Sequence, residues 1–399
     1  MADAREVELA VLRIAHGGVA VAELDGRVVF VADTLPGERV LARITDDRHD
    51  RFWRADAVRV LEPSPDRVPH VWAAAAVDRA PEHRAGGAEF GHIAPARQRS
   101  LKEEVLRDAL GRIGGLSPDA IAALDPHVHA VPGREDGTRS RTRVRLHVDR
   151  SGRVGPYAAR SKRVVPVEDL PLAVEALERL LPERARGREL DLVAAGGDAF
   201  AAGPRDARPP VVEHVGERAF RLEALGFWQV HPAAPEVLSR AVRAAADPAL
   251  LDPDADNLDL YGGVGLLAAA LAGDGDVRVT TVESDAAASA HAAENLRDLP
   301  RARAVRARVD AFLADDRRER PGATVLLDPP RSGAGADVVT AISASRPAQI
   351  VYVACDPVAL ARDLGTFAGL GWRPATLEAF DLFPNTHHLE AVARLVPAG

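Results

Sequence analysis

Apolar and polar residues alternate over most of the first sixty positions, the period of half-buried β-strands. VELAVLRIA, VAVAELDG, RVVFVADTLPGERVLARITDD and FWRADAVRVLE alternate or run apolar, and HGG, DG and PGE punctuate them as turns. Short strands at this spacing predict a small antiparallel barrel over 1–61. EPSPDRVPH (62–70), with its three prolines, reads as a linker. The period changes in RQRSLKEEVLRDALGRIG (97–114), where Leu101, Val105, Leu106, Leu110 and Ile113 fall at helical spacing. It returns to two in TRSRTRVRLHV (138–148). On a strand, Arg139, Arg141, Arg143 and Arg145 would share one face, and Val144, Leu146 and Val148 the other.

From about residue 225 strands and helices alternate. NLDLYG, VRVTTVES, TVLLDPP and QIVYVAC are separated by Ala-rich helical stretches such as LLAAALAG and AAASAHAAENLRD. That order predicts a parallel, doubly wound α/β sheet of Rossmann-like type. The expected organisation is a β-barrel (1–61), a central α+β domain (71–224) and a doubly wound α/β domain (225–399).

A chain of 399 residues suits two or three domains. With 47% apolar residues and no run long enough to cross a bilayer, it should be soluble, with no membrane partner. MADAREVELAVLRIAHGG lacks a basic flank ahead of an apolar stretch, so no secretion signal is read there. The single cysteine excludes an internal disulfide, and any multi-Cys iron–sulfur or zinc site built from this chain alone. A reducing cytoplasm is the expected compartment. No obligate protein partner is evident, and a monomer is the default.

The net charge of −8 argues mildly against nucleic acid. Its distribution alters that reading. Between Arg134 and Arg163 ten Lys/Arg face three Asp/Glu. The four period-2 arginines are either a solvated strand face or a phosphate-contacting surface.

LDLYGGVGLLAAALA (258–272) is a strand, a glycine turn with Gly262, Gly263 and Gly265, and a helix. Such a turn lets backbone approach a ligand at a helix N-terminus. Glu283 ends the next strand, where an acid accepts from both hydroxyls of a ribose. Asp310, after the third strand, is placed to meet an adenine. A NAD enzyme would show the same features, and both acids could be ordinary strand-end caps.

LLDPPRSGAG (326–335) puts Asp328 at a strand's C-terminal end, where α/β enzymes keep reacting groups; two stiff prolines and Arg331 follow. QIVYVACDP brings Cys355 to the same rim. A lone Cys in a strand is usually a small buried hydrophobe, but its place at the strand's end favours a reacting group. DLFPNTHHLEAVARL (381–395) carries Glu390, which alone could be any surface carboxylate. His387 and His388 suggest a metal only weakly, without a third convincing ligand.

A thiol and a carboxylate beside a methyl donor have a specific use. Uracil C5 is too weak a nucleophile to attack a sulfonium methyl. Thiolate addition at C6 makes an enolate whose C5 can, and a base then removes the C5 proton so that the thiolate leaves. Cys355 and Glu390 suffice, provided the base leaves its stack.

Six motifs in order (FWQVHP, DLYGGVG, VES, LLDPPRSG, YVACDPVALARDL and LFPNTHHLEAV) make the chain resemble the RNA 5-methyluridine methyltransferase family, over essentially its whole length. The resemblance implies S-adenosyl-L-methionine as methyl donor, Cys355 as nucleophile and Glu390 as general base. It places Gln229, Tyr261, Gly263, Gly265, Glu283, Asp310 and Asp328 at the cofactor, with Asp328 helping to hold donor and target together. The barrel resembles a TRAM domain, an RNA-binding module of the OB-like kind, although its own charge balance is about −2. Members carrying it more often act on ribosomal RNA, which favours 23S ribosomal RNA over transfer RNA. A non-catalytic RNA-binding or chaperone-like relative is the alternative, disfavoured because Cys355 and Glu390 remain in context. A small-molecule or cytosine methyltransferase is disfavoured by the basic strand and by the single cysteine.

Three departures stand out. Ala85 and Ala88 occupy positions where many ribosomal-RNA members carry cysteines for a four-iron cluster, so no iron–sulfur cluster is expected. His231 and Asp356 replace the usual Asn residues, and a negative charge at Asp356 should raise the Cys355 pKa.

Overall fold

The computed structural model describes residues 5–203 and 206–399; the first four residues of the 1–61 segment lie outside them. Strands β1 (Glu6–Ala15), β2 (Val19–Leu24), β3 (Arg27–Ala32), β4 (Arg39–Asp46) and β5 (Phe52–Glu62) close a barrel in the order β1-β2-β3-β5-β4. Alternation drives the closure. Leu9 and Val11, Val29 and Val31, Val40 and Ala42, and Ala55 and Ala57 turn inward and are buried. Asp25 (φ 51°) and Gly26 (φ 76°) make the tight β2–β3 hairpin, where two positive-φ residues match the strand twist. The barrel is not wholly antiparallel as expected, because β3 and β5 pair in parallel. An intervening strand, β4, lets β5 return in the direction of β3.

The remaining elements are β6 (Val128–His129), β7 (Arg143–Val148), β8 (Val154–Gly155), β9 (Glu189–Ala195), β10 (Asp198–Ala202), β11 (Val211–Val215) and β12 (Arg218–Leu222). They continue with β13 (Asn257–Leu260), β14 (Val279–Glu283), β15 (Ala302–Arg306), β16 (Thr324–Leu327), β17 (Gln349–Ala354), β18 (Trp372–Phe380) and β19 (Glu390–Pro397). The helices are α1 (Pro95–Arg112), α2 (Pro118–Leu124), α3 (Glu175–Glu178), α4 (Ala234–Ala245), α5 (Leu266–Ala272), α6 (Ala286–Asn295), α7 (Val309–Asp315), α8 (Ala336–Ala344) and α9 (Pro357–Gly369).

By contacts the chain forms two units. The first comprises Met1–Val105, Pro132–Asp206 and Phe383–His388; the second comprises Leu106–Val131, Ala207–Leu382 and Leu389–Gly399. Besides the barrel, the first holds a four-stranded sheet in the order β10-β9-β7-β8, built over Leu146, Leu172, Leu177 and Leu192.

The second unit is organised by an eight-stranded sheet ordered β15-β14-β13-β16-β17-β19-β18-β6. Strands β13 to β17 pair in parallel, and β19 inserts antiparallel between β17 and β18. Leu258, Leu260, Val325, Leu327, Ile350 and Tyr352 are buried because helices cover the sheet. Strand order reverses between β13 and β16, a switch point where the carboxyl ends of strands leave a crevice for ligands. No described helix is long and apolar enough to cross a membrane.

Candidate active site

The glycine turn lies at that switch point. β13 is buried throughout and exits through Tyr261 at φ 63°. A side chain at Gly262 is excluded: its Cβ would come within 1.8 Å of Thr281 Oγ1 and 2.5 Å of Asp259 Oδ2. Gly263 (φ 54°) faces open space, and Gly265 (φ 89°) leads into α5. Glu283 ties the turn to the neighbouring strand, its Oε2 accepting from Gly263 N–H at 3.0 Å and its Oε1 from Asp285 N–H at 2.7 Å. Oε1 also accepts from the Ser284 hydroxyl at 3.2 Å. A carboxylate has about four acceptor positions, so Glu283 keeps a position for a ribose hydroxyl, and a second opens if Ser284 turns away. An open glycine turn beside a fixed acid fits an adenosyl group.

Asp310 sits in the first turn of α7. Its carboxylate accepts from Arg308 at 2.8 and 3.1 Å and from Ala311 N–H at 2.9 Å, and it is half exposed. Its charge reaches Tyr261, whose phenol is pushed up to about 12 by burial, then by Asp310 and Asp363. Gln229 is partly buried in the segment between β12 and α4, two residues after the 75%-exposed Phe227. His231 is buried, which disfavours its charged form, and its Nδ1 accepts from Ala233 N–H at 3.1 Å ahead of α4.

The second cluster gathers where β16, β17 and β19 end. Asp328 follows β16 and donates its backbone N–H to Leu260 O at 3.2 Å. Cys355 follows β17 and Glu390 opens β19. Because Ala354 pairs with Ala391, the next residue outward on each strand stands beside the other. Burial first, then the charges of Glu390 and Asp328, pushes the Cys355 thiol up to about 12, against Arg331 and a backbone hydrogen bond. Burial and Asp328 likewise raise the Glu390 carboxyl well above the usual range, again against Arg331. Asp328 is pushed up to about 7 by burial and by Asp259. At neutral pH the Cys355 thiol and the Glu390 carboxyl therefore hold their protons, and Asp328 is poised between its two forms.

Asp356 corrects an expectation. Its carboxylate caps α9, Oδ1 accepting from Val358 N–H at 3.0 Å and Ala359 N–H at 2.8 Å. The dominant influences on the thiol are burial, Glu390 and Asp328, so the neighbouring acid serves as a helix cap.

Two supports are invisible in the sequence motifs. Asp259, in mid-strand, is fully buried, accepts from Thr281 Oγ1 at 2.8 Å, and is raised to about 7 by burial. Its Oδ1 has no hydrogen-bond partner among the described residues. Asp363 on α9 clamps the loop after Asp328: its Oδ2 accepts from Ala334 N–H and the Tyr352 hydroxyl, both at 2.7 Å. Arg362 Nη2 donates to Ser332 O at 2.6 Å in the same loop. An acid inside an apolar strand, as in NLDL, was the one available signal for Asp259.

The arginine face does not form as expected. The strand begins only at Arg143, because Arg139 N–H bonds Pro171 O, and Ser140 and Arg141 N–H both bond Leu172 O. Arg139 sits at φ 57° and pairs with Glu178 at 2.6 Å. Arg141 points inward, donating to Gly87 O at 2.6 Å, and only Arg143 and Arg145 share a strand face. Arg145 is held by Asp191 through bonds of 2.7 and 2.9 Å. His387 lies 3.8 Å from Glu89 and its ring is tilted 39° to that of His388; no group of three or more metal-ligating side chains gathers among the described residues.

Comparison with known proteins agrees with this geometry. The family model described as tRNA (Uracil-5-)-methyltransferase matches residues 316–396, the stretch holding Asp328, Cys355 and Glu390. An uncharacterized RNA methyltransferase of Streptomyces coelicolor is 38% identical over 98% of this chain and 93% of its own length. The 23S rRNA (uracil(1939)-C(5))-methyltransferase RlmD of Pseudomonas fluorescens is 30% identical, over 98% of this chain and 94% of its own. Among solved structures, the Pyrococcus abyssi tRNA (uracil-54, C5)-methyltransferase with S-adenosyl-L-homocysteine covers 97% of this chain and 99% of its own. Its TM-score is 0.70 at 20% identity, a likeness of fold.

Proposed function

The chain belongs to the RNA uracil-C5 methyltransferase family, and from that premise we propose how its own residues divide the reaction and which RNA it serves. The enzyme transfers a methyl group from S-adenosyl-L-methionine to uracil C5 in RNA. The cofactor, when bound, supplies a sulfonium methyl. Gly263, Gly265 and Glu283 hold its adenosyl part, with Asp310, Tyr261, Gln229 and Asp328 around it.

Cys355 is the nucleophile. Its sulfur, the thiol proton released to solvent, adds to C6 as the C5–C6 electron pair moves onto the C4 carbonyl as an enolate; C5 would then take the sulfonium methyl, with the neutral thioether as leaving group. Glu390, its own proton released to solvent beforehand, then accepts the C5 proton, and the pair left behind restores the C5–C6 double bond as the C6–S bond breaks. Adjacency of Cys355 and Glu390 carries this reading: nucleophile and base serve neighbouring ring atoms. Because the thiol is protonated at rest, its activation accompanies substrate binding. Asp328 is the proton-holding neighbour and Arg331 the counter-cation.

We assign 23S ribosomal RNA as substrate and the cytoplasm as the place of work. Full-length similarity to RlmD proteins, which includes the barrel, supports that choice. The test is incubation with cofactor and unmodified 23S or transfer RNA transcripts, followed by nucleoside mass spectrometry. 5-Methyluridine in 23S RNA is expected. Its appearance only in transfer RNA would overturn the substrate, and its absence from both the reaction.

A further inference from the structure

A cleft of about 680 Å³ opens in the first unit between β7 and the 156–162 loop. Its floor is apolar, formed by Trp72, Val144, Leu146 and Leu170. One wall is an aromatic pair: the His147 and Tyr157 rings stack with centroids 3.5 Å apart and planes within 7°. The wall is fixed from behind, since a Cβ on Gly86 would lie 2.8 Å from Tyr157 O. The mouth is cationic. Arg145 and Arg160, oriented by Asp191 and Asp56, stand there with the exposed Lys162. One acid lines the interior: Glu89 lies 3.8 Å from His387 Nδ1, and despite burial its carboxyl is held down to about 2 by His387 and Arg141 nearby.

The volume falls within the roughly 300–1,000 Å³ of small-molecule sites. An apolar floor and a ring wall suit a flat heterocycle, and a cationic mouth suits a phosphate. RNA is read mainly through unpaired bases set against aromatic side chains. We propose that this cleft captures one unpaired nucleotide of the substrate RNA, separate from the target uridine, with its base on the floor and its phosphate at Arg145, Arg160 and Lys162. The inference rests on RNA being the substrate and is independent of the chemistry at Cys355.

Ala159 is exposed on the cleft's edge, so Ala159→Trp puts an indole into the opening without entering the core. Lys162→Glu reverses charge at the mouth. The readouts are anisotropy of a fluorescein-labelled single-stranded RNA of roughly 12 nucleotides, competition by AMP, CMP, GMP and UMP, calorimetric binding of S-adenosyl-L-methionine, and KM against kcat on RNA transcripts. Each variant should weaken RNA binding about tenfold and raise KM far more than it changes kcat, with cofactor affinity retained. At least one mononucleotide should compete with RNA on the wild-type protein and fail on Ala159→Trp. Unchanged RNA affinity in both variants overturns the proposal. So does a mononucleotide that binds the cleft without displacing RNA, which would mark a free-nucleotide site. If wild-type protein methylates no RNA yet Ala159→Trp still weakens binding, the cleft stands and the catalytic reading falls.

Discussion

Cys355 and Glu390 face each other across two antiparallel strands, one residue beyond the Ala354–Ala391 pair, and the Glu390 carboxylate strengthens the thiol's hold on its proton. In the proposed reaction they act in sequence on C6 and C5. Removing the base should therefore stop the reaction after methyl transfer. Glu390→Gln is expected to accumulate a methylated RNA–protein adduct that survives denaturing electrophoresis, while Cys355→Ala forms none and still binds cofactor. A Glu390→Gln enzyme that turns over without any adduct would remove Glu390 from the role of base.

The same pair sets the reactivity of the free enzyme. With the thiol at about 12, roughly one in 10⁵ is thiolate at pH 7. Alkylation by iodoacetamide should be slow at pH 7 and rise about tenfold per pH unit to pH 10 without levelling. An unperturbed cysteine levels near pH 9. In Glu390→Gln one of the two neighbouring carboxyls is gone, so alkylation at pH 9 should be faster. A plateau below pH 9 in the wild-type protein would contradict the buried, acid-flanked thiol.

Strands β14, β16 and β17 were legible in the sequence because each pairs an apolar run with a motif at its C-terminal end, which put Glu283, Asp328 and Cys355 at strand ends. Glu390 was legible from the other side, ahead of the apolar run of β19. The arginine series misled for a physical reason. Period 2 over 138–148 presumes an unbroken strand, but Arg139 and Arg141 are drawn by backbone bonds to Pro171 and Leu172, partners some thirty residues away. Asp356 misled similarly, since a sequence shows a neighbouring charge but not that two backbone N–H groups hold it. Asp363 was invisible because its partners, Ala334 and Tyr352, meet it only once α9 packs on the sheet.

Asp259 makes stability depend on pH. Its folded pKa, about 7, lies above the ordinary carboxyl value of 3.8. The folded state thus binds a proton that the unfolded chain has lost, and this contribution fades as pH rises through 7. Asp259→Asn keeps the shape without the titration. Its melting temperature relative to wild type should climb between pH 5 and pH 8, measured without cofactor. A constant difference across that range would mean the carboxyl does not titrate there.

Gly262 tests the cofactor turn directly. Gly262→Ala drives a methyl into Thr281 Oγ1 and Asp259 Oδ2, and the buried pair has no room to yield. The turn must move, taking the Gly263 N–H away from Glu283. Affinity for S-adenosyl-L-methionine is expected to fall at least about tenfold, equivalent to about 1.4 kcal/mol, by calorimetry. Equal affinity would show that the turn does not carry the cofactor.

Asp363 separates positioning from chemistry. It is 1% exposed, and it accepts from Ala334 N–H, the Tyr352 hydroxyl and Arg362 around the loop that carries Arg331. Truncation to Ala orphans the buried Tyr352 hydroxyl and the part-buried Ala334 N–H, and loosens Arg331, the cation that opposes the acidic rim. The cost should be about 3 kcal/mol in chemical denaturation. Asp363→Asn retains an oxygen for one donor but offers an amide N–H₂ where the carboxylate accepted another, so it should lie between the two. The catalytic effect should follow Arg331: kcat should fall in Asp363→Ala, cofactor affinity should hold, and the Cys355 alkylation profile should move upward in pH as the opposing cation loosens. If Asp363→Ala loses stability but keeps both kcat and that profile, the clamp serves the fold alone.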